Sequence, residues 1–225
     1  MYTGITQGLF DVTKVHHQPN LTTYTVELSA PLIENLVIGS SVSIDGVCQT
    51  VTAIHHYQVT FQAIAETLQK TTLATLIPGQ KVSVERSAYY GKEIGGHELA
   101  GHIFETGRII EREVFEHSLN LLVQCSKTCF GYLFEKGFIG INGSSLTLGR
   151  LDTIRHAFYL HLIPETLRVT NLGEKMLNDH VNIEIDAKTM LIVHTIKQHH
   201  QNIDAELDKL QERIDVLEKK LNIGC

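Results

Sequence analysis

The sequence contains no tryptophan and has only four prolines and four cysteines among its 225 residues. It has no run approaching the roughly 18 apolar residues of a membrane-spanning helix, and its first residues show no basic segment leading into an apolar stretch. The cysteines, at positions 48, 125, 129 and 225, have neither a close-spaced metal pattern nor the density of a secreted disulfide framework. These absences predict a cytoplasmic protein with reduced thiols, without a membrane partner or a bound metal.

Positive charge is also scarce. The chain carries 19 lysine and arginine residues against 25 acidic residues, a formal net charge of −6, and the basic residues form no block. A protein that binds a phosphate backbone needs a basic patch, so nucleic acid is not a predicted partner. The hydrophobic fraction of 43% is enough to build a buried core in one or two domains.

What the sequence does contain is an internal repeat. Residues 41–52 read SVSIDGVCQTVT and residues 138–149 read FIGINGSSLTLG, so that Gly46 and Gly143 lie 97 positions apart (143 − 46). Two further segments return at an offset of 99 positions (165 − 66): ETL at 66–68 and 165–167, and GQKVSVE at 79–85 as NDHVNIE at 178–184. A repeat of this length is a whole small domain, which predicts a duplicated protein with two related ligand sites.

Each repeat is dominated by segments in which apolar and polar residues alternate, as in half-buried strands. Asp45-Gly46 and Asn142-Gly143 are typical of tight hairpin turns. Strands are predicted at 22–30, 41–54, 57–64, 81–88, 119–125, 138–151, 156–163 and 180–186, and short helices at 66–76 and 165–177. The pattern predicts a mainly β protein with two tandem six-stranded Greek-key-like β-barrels, because closure removes the exposed edges of so short a sheet.

The C-terminal segment differs from the repeats. Apolar residues are spaced alternately four and three positions apart, with charged residues between them, at positions 203, 207, 210, 214, 217 and 221. This narrow stripe predicts a C-terminal α-helix that associates with other subunits as a coiled coil, with the polar His200 setting its register. An amphipathic helix packed on its own barrel is the alternative. The predicted domains are two barrels, 1–96 and 97–195, with a glycine-rich linker near 91–102, and a helix, 196–225.

Several separate motifs occur together in the chain: MYTGI at 1–5, IDGVCQTVT at 44–52, IGGHELAGHI at 94–103, EKGFIGINGSSLTL at 135–148 and HLIPETLRVTNLG at 161–173. In this order and spacing they resemble riboflavin synthase of the trimeric, two-barrel type, over residues 1–195. The resemblance implies a dismutation, in which two molecules of 6,7-dimethyl-8-ribityllumazine exchange a four-carbon unit to give riboflavin and 5-amino-6-ribitylaminouracil. It implies no metal or redox cofactor.

The resemblance also implies how the chain assembles. In the family, the N-terminal barrel of one subunit faces the C-terminal barrel of its neighbour, so that two copies of one substrate occupy two similar pockets. The chain is accordingly expected to form a homotrimer through its C-terminal helix. Association with a separate lumazine synthase stays open, as does the question of which barrel holds the donor of the four carbons.

Three residues are candidates for catalysis under this resemblance: His102, Cys48 and Ser41. A histidine has an ordinary pKa near neutrality, so His102 can move a proton from the 7-methyl group of the substrate. A thiolate at Cys48 can add to or stabilise an electrophilic ring, and Ser41 matches a serine that the family uses near the ring. The plainer alternatives are a strand histidine bonded to a carbonyl group and a small buried cysteine.

The resemblance places substrate-binding residues along matching stretches of both repeats. The set is Gly4, Ile5, Thr6, Gln49, Thr50, Gln62, Ala63, Ile64, Ala65, Glu66, Thr67, Gly101, Ile103, Lys136, Ser145, Leu146, Thr147, His161, Leu162, Ile163, Pro164, Glu165 and Thr166. The alternative role of Glu66 and Glu165 is that of carboxylates at a helix N-terminus. Strand alternation points Gln49 away from Cys48 and Thr50, which indicates that this other face is solvated.

The two predicted sites are not equal. Cys48 has Ser145 as its counterpart, and Gly4-Ile5 aligns with His102-Ile103 at an offset of 98 positions (102 − 4). A reaction between identical molecules in different roles requires such a difference. The unequal pair of sites therefore fits the implied dismutation.

A non-catalytic lumazine- or flavin-binding protein on the same scaffold, of the antenna type found in luminous bacteria, is the alternative function. The chain keeps Ser41, Cys48 and His102 and a complete second repeat, which favours the enzyme. A histidine-based metal protein is a more distant alternative. Several of the 13 histidines are adjacent in sequence, and adjacent rings on a strand or helix point apart.

Overall fold

The computed structural model describes the backbone of residues 1–222 and the side chains of residues 1–217. The chain forms a β-rich unit, Met1–Asp186, which contains both repeats, and a second unit that begins at Ala187. Cys225, predicted to be a reduced thiol, lies outside the described residues. The mainly β prediction is confirmed by the 13 strands of the first unit.

The first repeat folds into a closed barrel of six strands, as the sequence predicts. Its strands are β1 Gly8–Gln18, β2 Leu21–Glu27, β3 Ser41–Ile44, β4 Val47–His55, β5 Gln58–Ile64 and β6 Lys81–Arg86. They follow the order β1-β2-β5-β4-β3-β6 around the barrel, and β6 pairs again with β1. A short helix follows β2, α1 Ala30–Ile33, and β5 is followed by α2 Ala65–Lys70 and a 3-10 turn, Thr72–Thr75.

The second repeat forms a curled sheet of seven strands in the order β10-β9-β13-β7-β8-β12-β11. The strands are β7 Glu105–Val114, β8 Leu119–Gln124, β9 Phe138–Ile141, β10 Ser144–Thr147, β11 Leu151–Asp152, β12 Ala157–Leu162 and β13 His180–Ile185. Between them lie α3 Lys127–Phe130, α4 Pro164–Val169 and a 3-10 turn, Asn171–Gly173. Like the first repeat, it has its helical turns before its last strand.

The seventh strand arises because the counterpart of the long β4 is interrupted. It is divided into β10 and β11, which form the two edges of the sheet. Between them, Gly149 donates its N–H to the Tyr159 carbonyl at 2.8 Å, and the Tyr159 N–H donates to the Arg150 carbonyl at 3.0 Å. These bonds connect the interrupted segment to β12. A Cβ atom on Gly149 would lie 2.9 Å from the Tyr159 oxygen, so the strand approaches too closely for a side chain there.

Alternate side chains of the strands fill the interior of the first barrel. Fully buried residues there include Val42, Ile44, Val82 and Val84. Each such side chain stabilises the fold by about 1.5–3 kcal/mol. Gln49 also points inward, away from Cys48 and Thr50, as strand alternation predicts. The prediction that this face is solvated is wrong, because Gln49 is 4% exposed and its Oε1 accepts a hydrogen bond from the Tyr24 hydroxyl at 3.1 Å.

The two repeats meet at their hairpin turns. Asp45 and Asn142 have positive φ angles of 47° and 45°, and the glycines that follow them both have a φ of 82°. A Cβ atom on Gly46 would lie 2.5 Å from the Gly143 nitrogen, and one on Gly143 would lie 2.9 Å from the Gly46 nitrogen. The turns therefore pack back to back, and both glycines are required by the contact as well as by their own backbone angles.

A buried polar network surrounds these turns and joins the repeats. The Asp45 carboxylate accepts hydrogen bonds from the Ser83 N–H at 2.7 Å and from the Asn171 side-chain amide at 2.9 Å. Asn142 donates to the Asn171 Oδ1 at 2.9 Å, and Asn182 donates to the Asp45 carbonyl at 2.8 Å. Burial raises the pKa of Asp45 to about 6, although nearby positive charge and the hydrogen bonds oppose the rise.

The second unit is a long helix, α5 Ala187–Asn222, which begins upstream of the predicted residue 196. Five residues of the apolar stripe are between 43% and 57% exposed: Ile203, Leu207, Leu210, Ile214 and Leu217. The side chain of Leu221, the last residue of the predicted stripe, lies outside the described part of the chain. Within that part, no helix has both the length and the apolar character needed to cross a bilayer.

The raised pKa of Asp45 predicts a pH-dependent stability. The folded-state pKa of about 6 lies above the 3.8 of an aspartate in the unfolded chain, so between these values the folded protein binds more protons than the unfolded chain. The Asp45 contribution to the free energy of unfolding should therefore fall as pH rises from about 4 to about 6, by up to about 3 kcal/mol. Asp45→Asn should flatten this slope in urea titrations, whereas Asp11→Asn, at an exposed position of β1, should not. An unchanged slope in Asp45→Asn would contradict the account.

Candidate active site

Two chain segments cross between the repeats and build the site. We call residues 1–6 the N-terminal arm and residues 98–103 the linker arm. Their backbones pair as an antiparallel bridge: the Tyr2 N–H donates to the Leu99 carbonyl at 2.7 Å, and the Leu99 N–H donates to the Tyr2 carbonyl at 3.0 Å. Both side chains are 1% exposed. The bridge fixes the two arms relative to each other before either reaches a barrel.

The linker arm lies against β4 of the first barrel. The Cys48 N–H donates to the Gly101 carbonyl at 2.9 Å. Gly101 has a φ of +81°, and a Cβ atom on it would lie 2.6 Å from the Cys48 Cβ. The Tyr2 hydroxyl donates to the Cys48 Sγ at 3.1 Å. This contact presents the exposed His102 at the outer face of the first barrel, while Ile103 packs against the barrel core.

The N-terminal arm repeats this construction on the second sheet. The Ser145 N–H donates to the Gly4 carbonyl at 2.8 Å. Gly4 has a φ of +73°, and a Cβ atom on it would lie 2.5 Å from the Ser145 Cβ. Gly4 is thus the counterpart of Gly101, at an offset of 97 positions (101 − 4). The predicted alignment at an offset of 98 is wrong, and the residue that corresponds to His102 is Ile5.

Two buried carboxylates hold the arms. Glu85 on β6 accepts hydrogen bonds from the Thr3 N–H at 2.7 Å and the Gly4 N–H at 3.1 Å. Glu184 on β13 accepts from the Ala100 N–H at 2.7 Å and the Gly101 N–H at 3.1 Å. Burial raises the pKa of both carboxyl groups, that of Glu184 to about 7, and the backbone donors oppose the rise. Neither residue was predicted from the sequence, although Glu85 and Glu184 end the repeated segments 79–85 and 178–184.

A second histidine of the linker region was also missed. The His97 Nδ1 lies 2.6 Å from the Ser145 Oγ, which also accepts the His97 N–H at 3.1 Å. The His97 ring stacks on Phe138 with 5.1 Å between centroids. The motif IGGHELAGHI carries both His97 and His102, and only the second was assigned a role from sequence. The second site therefore has a histidine of its own, held against the serine that replaces Cys48.

The remaining predicted residues divide by exposure. Exposed are Ile5, Thr50, Gln62, Ile64, Glu66, Lys136, Thr147, His161, Ile163, Pro164 and Glu165. Half-buried are Ser41, Ala65, Thr67, Leu146 and Thr166, and buried are Thr6, Gln49, Ala63 and Leu162. Because Gln49, Ala63 and Leu162 point into the barrels, they can offer a ligand only their backbone. The two sites lie on the outer surfaces of the sheets, beside the arms, and not inside a barrel mouth.

The two predicted carboxylates of the short helices already have partners. Glu66 pairs with Lys70, four residues along α2. Glu165 pairs with Arg168 on α4 at 2.6 Å, which lowers the pKa of the Glu165 carboxyl group. All four side chains are exposed, so these pairs contribute little stability. The geometry is that of carboxylates in the first turn of a helix, which was the alternative to ligand contacts.

The arrangement of arms and sheets agrees with comparisons to known proteins. The sequence profile of the lumazine binding domain matches twice, at residues 3–87 and 100–186. Riboflavin synthase from Escherichia coli (strain K12) is 41% identical over 199 residues, covering 88% of this chain and 92% of that protein. The chain belongs to the riboflavin synthase family. The enzyme from Chlamydia pneumoniae is 40% identical over 199 residues, covering 88% of this chain and 96% of that protein.

Solved structures give the same fold. The crystal structure of LumP complexed with riboflavin matches with a TM-score of 0.77 at 23% identity, covering 83% of this chain and all of that one. LumP complexed with 6,7-dimethyl-8-(1'-D-ribityl) lumazine matches with a TM-score of 0.74 at 24% identity, covering 82% of this chain and 98% of that one. At 23–24% identity, the likeness to LumP establishes the fold of this chain alone.

Because the linker arm lies so close to β4, adding one methyl group at Gly101 should displace the arm. Gly101→Ala should push the arm away from Cys48, because the new Cβ clashes with β4 and the positive φ is strained. A cysteine-modifying reagent should then label Cys48 about tenfold faster, read by peptide mapping. Gly79→Ala is the matched control, since Gly79 has a φ of +86° and nothing within 4 Å of the added Cβ. Equal labelling rates in the two variants would count against the proposed packing of the arm.

Proposed function

We propose that this chain is a riboflavin synthase, which converts two molecules of 6,7-dimethyl-8-ribityllumazine into riboflavin and 5-amino-6-ribitylaminouracil, the last step of riboflavin biosynthesis. The observation that carries the proposal is the identity of about 40% to curated riboflavin synthases over 88% of the chain. The reaction transfers a four-carbon unit between two identical molecules. It consumes no external oxidant, so the protein needs to supply binding, orientation and proton transfer.

The two arms suit a reaction in which one compound plays two roles. Each arm brings a glycine against the outer face of a sheet, at Cys48 in one repeat and Ser145 in the other. The residue after that glycine is His102 in the linker arm and Ile5 in the N-terminal arm. Two similar sites can bind the same ring, while only the site with His102 has a side chain that can transfer a proton to or from it.

We assign the chemistry to the first site. His102 moves the proton of the 7-methyl group, since its imidazole is exposed next to Gly101, whose backbone is held against β4, and an imidazole is a common general acid and base. Cys48 contacts the electrophilic ring, and the Tyr2 hydroxyl, a donor to its Sγ, stabilises negative charge on the sulfur. Burial and the Cys48 contact raise the pKa of the Tyr2 hydroxyl far above its usual range, so it remains a donor. Ser41, paired with Thr50 across β3 and β4, contacts the same ring.

The decisive experiment is anaerobic incubation of the full-length chain with pure 6,7-dimethyl-8-ribityllumazine. Riboflavin and 5-amino-6-ribitylaminouracil should appear in equal amounts by chromatography. Within the same assay, His102→Gln should lower kcat by about 100-fold or more while ligand affinity changes little, because a proton-transferring group acts in the transition state. His16→Gln, at an exposed position of β1, is the matched control and should keep wild-type turnover.

Two outcomes of this assay would count against parts of the proposal. Tight lumazine binding without riboflavin would select the antenna-type binding protein in place of the enzyme. Equal losses of affinity and turnover in His102→Gln would return His102 to a structural role. Wild-type turnover of that variant would have the same consequence.

The active assembly is a homotrimer, held together by α5, in which the barrel of the first repeat in one subunit faces the curled sheet of the second repeat in its neighbour. The exposed apolar stripe of α5 supports this proposal, because it needs an apolar partner. Both sites lie on outer surfaces, so a facing surface is needed to bring two bound molecules together. We further propose a cytoplasmic location. Association with a lumazine synthase is a second proposal, which a pull-down experiment with the two purified proteins tests.

If α5 holds the trimer together, a weakened α5 should make activity depend on protein concentration. Leu210→Asp with Leu217→Asp should give smaller particles in sedimentation and low activity in dilute solution, which recovers as protein concentration rises. Gln201→Asp with Ala205→Asp is the matched control, since these positions lie on the opposite face of a 3.6-residue helix. A wild-type sedimentation profile in the stripe variant would exclude association through α5, and a fully active monomer would exclude a site shared between subunits.

A further inference from the structure

Two thiols and a carboxylate meet where two central strands of the second sheet, β7 and β8, begin and end. The side chains are Glu105, the first residue of β7, Cys125, which follows β8, and Cys129 in α3. One donor atom from each lies within 4.8 Å of the others. Cys129 is fully buried, and the other two are half-buried. None of the three belongs to the arms or to the sites at Cys48 and Ser145.

The internal duplication shows that this group is specific to the second repeat. At an offset of 97 positions (125 − 28), the counterparts of Cys125 and Cys129 are Leu28 and Leu32, and α3 corresponds to α1. Both leucines are buried in the first core, at 2% and 5% exposure. The counterpart of Glu105 is Gly8. The same place in the fold therefore holds an apolar pair in one repeat and three metal-ligating side chains in the other, so packing alone does not require the polar set.

We propose that Glu105, Cys125 and Cys129 form a binding site for a borderline-soft divalent cation, of the class of Zn²⁺. Thiolate sulfur and carboxylate oxygen bind zinc at about 2.3 Å and about 2.0–2.2 Å, which places tetrahedral ligands about 3.3–3.8 Å apart. The three donor atoms lie at most 4.8 Å apart, which exceeds that spacing by about 1 Å. The cysteines alone led to a prediction of no bound metal, but Cys125 and Cys129 are separated by three residues, which is within the range of zinc sites, and the fold adds Glu105 as a third ligand.

The surroundings orient the carboxylate and leave a coordination position open. The Glu105 Oε1 accepts a hydrogen bond from the Ser126 N–H at 2.6 Å, which directs the other oxygen for a metal ion. A cavity of about 380 Å³ borders Glu105 and Cys125 and gives a water molecule access to a fourth position. Arg108 lines the same cavity. Its positive charge balances the single excess negative charge that two thiolates and a carboxylate retain around a divalent cation.

A bound ion connects the start of β7 with the segment that joins β8 to α3, 20 positions further along the chain (125 − 105). It links β7, the end of β8 and α3, and binding releases the thiol protons of Cys125 and Cys129 to solvent. Glu105 follows the linker arm by two residues, since the arm ends at Ile103. The ion would therefore fasten the C-terminal end of the arm that carries His102. This proposal does not depend on the proposed function, because it concerns residues outside the active site.

Cobalt provides a spectroscopic test. The full-length chain, reduced with a phosphine and freed of metal with a chelator, is titrated with Co²⁺ and then with Zn²⁺. We expect sulfur-to-cobalt charge-transfer absorption that saturates at about one ion per chain and disappears when Zn²⁺ displaces the cobalt. Cys125→Ser and Cys129→Ser should each weaken binding by about tenfold or more, and Glu105→Gln by less.

Two further variants separate loss of the site from loss of the fold. Cys48→Ser removes a thiol elsewhere and should leave the cobalt spectrum unchanged. Cys125→Leu with Cys129→Leu gives the second repeat the apolar pair of the first, and should keep the circular dichroism spectrum while abolishing the cobalt bands. A wild-type protein without charge-transfer absorption, an unchanged spectrum in Cys129→Ser, or a Cys125–Cys129 disulfide in place of metal uptake would overturn the proposal. The readout is metal binding, so the result stands apart from any riboflavin assay.

Discussion

Two buried carboxylates, Glu85 and Glu184, determine how the rest of this molecule is arranged. Each sits at the end of the last strand of its repeat and accepts backbone N–H donors from the arm that leads into that repeat. A buried carboxylate is costly unless it is hydrogen-bonded, and backbone amides are donors that only a substitution by proline removes. The arms are thereby held in a fixed path. That path carries each arm onto the opposite repeat, where its glycine contacts Cys48 or Ser145.

The duplication also defines where the two halves are free to differ. Near the centre, the Gly46 and Gly143 turns touch through backbone atoms, so neither copy tolerates a side chain. At the arms, the glycines are again matched, but the next residue is His102 in one and Ile5 in the other. The two arms thus have matching backbones but different exposed side chains, His102 and Ile5. An enzyme that must distinguish two copies of one substrate needs this combination.

Much of the fold could be predicted from the sequence because its signals are local. The strands and the turns at Asp45-Gly46 and Asn142-Gly143 were predicted from patterns among residues that are close in sequence. The internal repeat then showed where each half lies in the chain. The divided strand at Gly149 was not predicted, because it results from close contact with Tyr159 on another strand. Gln49 was placed on the correct side of β4, but its partner Tyr24 lies on β2, and sequence alone did not show that a hydroxyl satisfies it inside the barrel.

The site was harder to predict, for the same physical reason. His102 and Cys48 were assigned by resemblance and stay predictions, whereas the positions of Glu85, Glu184 and His97 depend on contacts between distant segments. The alignment of the two arms was off by one position, because the sequence around Gly4 and Gly101 has too few shared residues to fix it. The backbone angles and the contacts of the two glycines fix it at once.

Because the arms cross, each repeat forms its own sheet, but each candidate site is completed by an arm from the other half of the chain. A chain cut at residue 96 keeps all six strands of the first barrel and its core. It loses Gly101, His102 and Ile103, which complete the outer face of that same barrel. The second repeat depends in turn on residues 1–6. Each half of the chain therefore supplies the arm that contacts the repeat of the other half. A recombined or circularly permuted chain has to preserve the two repeats and also the order in which arms and repeats alternate.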